Sequence, residues 1–124
     1  MGTSTDAYLY YGIEVWDTDN QPEISDELAE RLQEFETEDG LDIDFYIEQN
    51  LNVKGVEYDS HCHCEYPMYF IHTKKFSAWR GDPTDINLKD LTIDPKWNDK
   101  LKKACEQLGF EYEEPSWRLA SYWG

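Results

Sequence analysis

The stretch His61–Tyr66, HCHCEY, sets two histidines and two cysteines on four consecutive residues of a chain that holds three of each. Such side chains bind zinc or supply a thiolate nucleophile and its base. Zinc takes four nitrogen or sulfur ligands, and ligands close in sequence are commonly spaced by two or more residues so that a turn can converge them. In an extended segment, successive side chains face apart. Cys62 and Cys64 then share one face, and His61 and His63 the other. A zinc site drawn from His61, Cys62, His63 and Cys64 needs completion by His72 or Cys105, and the paired C-x-x-C knuckle is absent. For the same reason a cysteine nucleophile would have to take its base from the distant His72. The expectation is structural: no cofactor, no catalytic residue, and Cys62 and Cys64 at the rim and entry of a strand that begins near Tyr66. A small metalloprotein or enzyme centred on residues 61–72, with zinc on His61, Cys62, His63, Cys64 and His72, is the alternative.

The second concentration of reactive types is acidic. The 124 residues carry 27 acids against 11 Lys and Arg, a formal charge of −16. Residues 1–50 hold 15 acids and one base, Arg31, whereas residues 51–124 hold 12 acids and 10 bases. Solubility alone asks for no such segregation. Glu27, Glu30, Glu34, Glu38, Asp39, Asp42 and Asp44 could present a line of carboxylates to a basic protein, as a mimic of DNA phosphates would. The competing readings are a solvated acidic face and an acid-rich host proteome. Direct nucleic-acid binding is disfavoured, because it needs a basic surface. The stripe Lys96, Lys100 and Lys103 is the exception, and its plain reading is a solvated helix face. With so many acids, any chosen glycosidase-like carboxylate pair carries no meaning, and there is no Gly-rich phosphate loop.

These groups must be positioned by a folded chain. Apolar residues at 40% and aromatics at 15% exclude a disordered reading. No apolar run is long enough to span a membrane, and the start lacks a basic signal-peptide region. Asp6 stands where a myristoylation pattern wants Ser or Thr. Two cysteines one residue apart would form a strained disulfide, so reduced thiols in a cytoplasm are expected.

Ala7–Trp16 alternates as a central strand, with Ala7, Leu9, Tyr11, Ile13 and Val15 on one face and Tyr8, Tyr10 and Trp16 on the other; Gly12 marks a bulge or a close approach. A helix follows, capped by Ser25 or Asp26, with Ile24, Leu28, Leu32 and Phe35 on its apolar side and Gly40 ending it. Glu36, Glu38 and Asp39 would then oppose its dipole. Residues 41–50 fit either a strand or a short helix. Asn52–Tyr58 and Tyr66–Trp79 read as strands, and Arg80–Pro83 as a turn. Asp94 and Pro95 open a second helix with the apolar stripe Trp97, Leu101, Ala104, Cys105 and Leu108, and Gly109 closes it. Trp117–Trp123 reads as a closing strand. The sum is one α+β domain over residues 1–124, mostly antiparallel, with terminal strands paired and about two main helices.

The segments MGTSTDAYLYYGIEV, HCHCEYPMYFI, SAWRGDP, IDPKWNDKLKKACEQLG and EEPSWRLASYWG together resemble a family of small uncharacterised proteins of tailed bacteriophages and prophages. The likeness covers both ends and the middle, not the acidic stretch 17–50. It implies expression in the cytoplasm of an infected bacterial host and brings no reaction, cofactor or site residue with it. The functional expectation is an acidic, non-enzymatic protein-binding module, an inhibitor or DNA mimic aimed at a host defence or DNA-processing protein. Its partner would be a basic, nucleic-acid-binding host protein, with no membrane; the oligomeric state is open. A virion or assembly component, associating through exposed aromatics, is the further alternative. Of the aromatic ends Tyr8, Tyr10, Trp117, Tyr122 and Trp123, core is the expected place.

Overall fold

A computed structural model describes residues 5–17, 24–62, 67–78 and 81–123. The chain runs β1 (Thr5–Asp17), α1 (Asp26–Gln33), β2 (Glu36–Thr37), β3 (Gly40–Leu41), α2 (Ile43–Asn50), β4 (Glu57–Cys62), β5 (Pro67–Ala78), a 3₁₀ turn (Leu88–Leu91), α3 (Lys96–Leu108) and β6 (Ser116–Trp123). This is an α+β domain, its sheet mostly antiparallel. The long aromatic β1 is central, paired with β5 on one side and β6 on the other, from Thr5↔Trp123 to Gly12↔Ser116. The two ends of the chain are therefore joined in one sheet, as expected. β4 adds to the far edge of β5 and meets β6 at the parallel pair Cys62↔Tyr122. The four strands close into a small barrel in the order β1-β5-β4-β6.

Two register shifts bend β1, between Tyr11 and Gly12 and between Glu14 and Trp16. Bulges of this kind increase twist and let a sheet curl. The second shift corrects the simple alternation: Trp16 leaves the face of Tyr10 and joins Tyr11, Ile13 and Val15 in the core. Gly12 is the expected close approach, since a Cβ there would lie 1.9 Å from the Ile71 carbonyl oxygen. The outer face of β1 and β5 packs on the helices through Ile13, Ile71, Leu28, Leu32, Ile47, Leu101 and Leu108, all buried. Cys105 belongs to this core, and burial pushes its thiol up to about 12.

The helices depart from the sequence expectations in three places. α1 is capped by Ser25, whose Oγ accepts from the Leu28 N–H at 3.1 Å, but it ends at Gln33. Phe35 turns back to pack at a tilt against Phe45 and edge-to-face against Tyr46, and Gly40, at φ 117°, serves the β2–β3 hairpin instead of the helix end. Glu36, Glu38 and Asp39 thus lie beyond α1 and do not oppose its dipole, while Ile24 stays outside it and exposed. Residues 43–50 form a helix, capped by the Asp42 carboxylate on the Phe45 N–H, which makes three α-helices among the described residues. Asn52–Val56 is a turn and not a strand. Gly55 sits at φ 89°, and the Gln107 side chain clamps both the N–H and the C=O of Asn52. α3 follows expectation: the Asp94 carboxylate accepts from the Lys96 N–H, the apolar stripe is covered, and Gly109 ends the helix at φ 74°.

Candidate functional site

The acidic unit is one packed piece. α1, the β2–β3 hairpin and α2 are joined by the Phe35 contacts and by the Asp42 N–H donating to the Phe35 carbonyl. Glu27 and Glu30 lie on α1, Glu34 at its C-terminal cap, Glu38 and Asp39 in the hairpin turn, Asp42 at the α2 cap and Asp44 in its first turn. All seven are exposed, and none makes an ion pair among the described residues. Glu34, Glu38 and Asp39 reach this surface from a cap and a turn, not from the helix stripe the sequence suggested. Two of the seven have structural duties, Asp42 as cap and Asp44 as acceptor of the Tyr58 hydroxyl at 2.7 Å. Arg31, the lone base of the first half, is turned inward. Its guanidinium donates to the Gln107 carbonyl at 2.6 Å and to Asn50, and lies over the Tyr46 ring. The acidic surface is thereby left unneutralised. On the opposite helix Lys96 and Lys103 are exposed and Lys100 is half-buried beside Gly55, as a solvated face would be.

The second site lies inside the barrel. β4 alternates so that Glu57, Asp59 and His61 share a face, while Tyr58 packs outward towards α2. β5 contributes Phe70 and His72 to the same interior, and the irregularity opposite Tyr11 and Gly12 brings Lys75 to that face as well. β1 supplies Tyr8, Tyr10 and Glu14. Phe70 is fully buried and stacks on Tyr10 with ring centroids 4.0 Å apart; His61 and His72 lie 5.7 and 5.4 Å from it.

Around this aromatic layer sit two carboxylate–histidine pairs. His61 Nε2 bonds Glu14 Oε1, and Glu14 Oε2 accepts from the Tyr10 hydroxyl at 2.6 Å. His72 Nε2 meets Asp59 Oδ2 at 2.8 Å, and Lys75 Nζ reaches the same oxygen at 2.7 Å. Burial, followed by the hydrogen bond to Glu14, pushes the Tyr10 phenol far up, against a smaller downward pull from Arg118. Burial by itself would raise the Asp59 carboxyl, but the hydrogen bonds from His72 and Lys75 outweigh it and hold the group below its ordinary value. Charged groups removed from water cost several kcal/mol each unless paired and hydrogen-bonded, and an apolar filling of the same volume is often as stable. A small barrel filled this way instead of with leucine marks a candidate site.

Of the residues first singled out, the structure sets His61 and His72 on one interior face and leaves Cys105 in the helical core. His63 and Cys64 lie outside the described residues, as does the Cys62 side chain. Residues 61 and 62 belong to β4 itself and not to the entry of β5, which starts at Pro67. No group of three or more His, Cys, Asp or Glu converges among the described residues. Of the aromatic ends, Tyr10 is buried in the barrel, while Tyr8 and Trp117 are half-buried. No described helix is long and apolar enough to cross a membrane.

Sequence reading missed Glu14, Tyr10, Asp59 and Arg118. The available signal was alternation in EYDSHC, which sets Glu57, Asp59 and His61 on one face, and a lone acid in the aromatic strand YYGIEVW. No protein-family model, curated protein or solved structure matches this chain.

Proposed function

We propose that the chain is an acidic protein-binding module of phage type that docks on the basic, nucleic-acid-binding surface of a host defence or DNA-processing protein. The observation that carries this reading is the exposed set Glu27, Glu30, Glu34, Glu38, Asp39, Asp42 and Asp44 combined with the withdrawal of Arg31 into the fold. Carboxylates fixed on a packed helix–hairpin–helix unit offer a basic partner a preformed surface, and complementary fields raise association rates by about 10 to 1,000-fold at low salt. The phage resemblance supplies the setting, an infected bacterial cytoplasm.

The test is capture from host lysate by the tagged protein, repeated with E27K, E30K and E34K combined. The three side chains are exposed, so the variant retains the wild-type fold by circular dichroism. The wild type captures a basic protein in a salt-sensitive manner and the variant loses it; undiminished capture by the variant removes the reading.

A further inference from the structure

Among the described residues β4 and β6 are paired in the ladder at Cys62↔Tyr122 alone, which leaves a seam in the barrel. A pocket of about 290 Å³ opens there, lined by Tyr10, Glu14, His61 and Arg118 and by the strand segment Leu119, Ala120 and Ser121. Its size is near the lower end for small-molecule sites.

The hydrogen-bonding inventory of the lining decides what it accepts. Glu14 is the lining carboxylate, and both of its oxygens are occupied, one by His61 Nε2 and one by the Tyr10 hydroxyl. The Tyr10 proton is committed to Glu14, and the upward push on that phenol keeps it there. Each oxygen can take a second bond, as Asp59 Oδ2 does, but the lining residues offer a cation this one carboxylate and no other. One donor is uncommitted: Arg118, on the face of β6 opposite Tyr10, makes no ion pair and no side-chain hydrogen bond among the described residues. An exposed guanidinium without a carboxylate partner among the described residues stands out in a chain with 27 acids and 11 bases. With Nε2 bonded to Glu14, the other ring nitrogen of His61 donates to an anion when the ring is in its imidazolium form. Guanidinium groups pair with carboxylate and phosphate oxygens through short, charge-assisted bonds.

We propose that the β4–β6 seam pocket binds a small organic anion, with Arg118 clamping its carboxylate or phosphate group, His61 hydrogen-bonding it, and Glu14 and Tyr10 positioning His61. The site is independent of the acidic helical surface, so either can fail without the other.

The test is a titration of the full ¹⁵N-labelled chain, at constant ionic strength, with sodium acetate, inorganic phosphate and neutral acetamide. Saturable shifts centred on His61 and residues 118–121, with acetate, phosphate or both but not acetamide, are expected, with millimolar dissociation constants. The anion that binds identifies the ligand class. R118Q weakens binding about tenfold or more, and the distant K103Q leaves it unchanged. The proposal is overturned if neither anion gives saturable shifts at these residues, if acetamide matches acetate, or if R118Q, folded by its amide spectrum, binds like wild type.

Discussion

The Gly12→Ala substitution probes the bend on which the barrel depends. Gly12 does not have a positive φ, so alanine meets no conformational objection there. The obstacle is space: the new Cβ would lie 1.9 Å from the Ile71 oxygen, 2.9 Å from its carbonyl carbon and 3.0 Å from the His72 Cα. All three are backbone atoms, so no side chain can swing aside. Ordinary carbon contacts begin near 3.5 Å, and β1 and β5 would have to part by about 1.5 Å. Overpacking costs about 1–3 kcal/mol, and loosening the neighbouring ladder bonds adds about 1 kcal/mol for each one or two lost. The sum, about 3–5 kcal/mol, is a large share of the roughly 5–15 kcal/mol that holds a domain together. In urea, with a slope near 2 kcal/mol/M, the midpoint should fall by about 2 M at unchanged slope. Gly81→Ala supplies the contrast: its φ is 75° with nothing within 4 Å of the new methyl, so only conformational strain of about 1 kcal/mol is expected. A Gly12→Ala midpoint no lower than that of Gly81→Ala would refute the close-approach argument.

Two further outcomes follow from the titrating groups. Asp59 has a folded pKa below its unfolded value, so its contribution is complete above the unfolded pKa and is lost as pH falls through the folded one. Urea midpoints of the wild type should therefore drop more steeply than those of Asp59→Asn as the pH falls below the ordinary carboxylate range; parallel curves would show that the His72–Asp59–Lys75 contact contributes nothing. Cys105, buried and with its thiol pushed up to about 12, should stay unalkylated by iodoacetamide at neutral pH while folded and react once urea is added. Site-resolved mass spectrometry reads this out, and rapid labelling in the native state would contradict its place in the core.

What was legible in the sequence was what repeats. The stripe of α3, its Asp94 cap and its Gly109 stop are local signals, and each reappears in the structure. The alternation of β1 marked the central strand, and strands at both ends of the chain suggested its pairing with β6. Illegible were the events decided by distant partners. α1 stops at Gln33 because Phe35 is drawn to Phe45 and Tyr46, which no helical period announces. Trp16 changes face because of a bulge, and one inserted residue inverts a prediction based on period two. The barrel interior was hidden for the same reason. Glu14 and His61 are 47 residues apart, and their meeting depends on a closure that strand patterns do not encode. HCHCEY drew attention to His61 through its neighbours, whereas the partner the structure gives that ring lies on another strand.

The pairing of Thr5 with Trp123 also bears on how the protein folds in time. Bringing those ends together closes a loop of 118 residues, an entropic cost of about 4 kcal/mol, against about 2 for a ten-residue loop. β1 lies between a strand more than 50 residues away and another more than 100 away, so none of its ladder bonds can form cheaply at first. High contact order of this kind places folding in the slow, millisecond-to-second range. The helix–hairpin–helix unit, whose contacts are short in sequence, is free to organise first, so the acidic surface would take shape before the barrel closes over its two histidines.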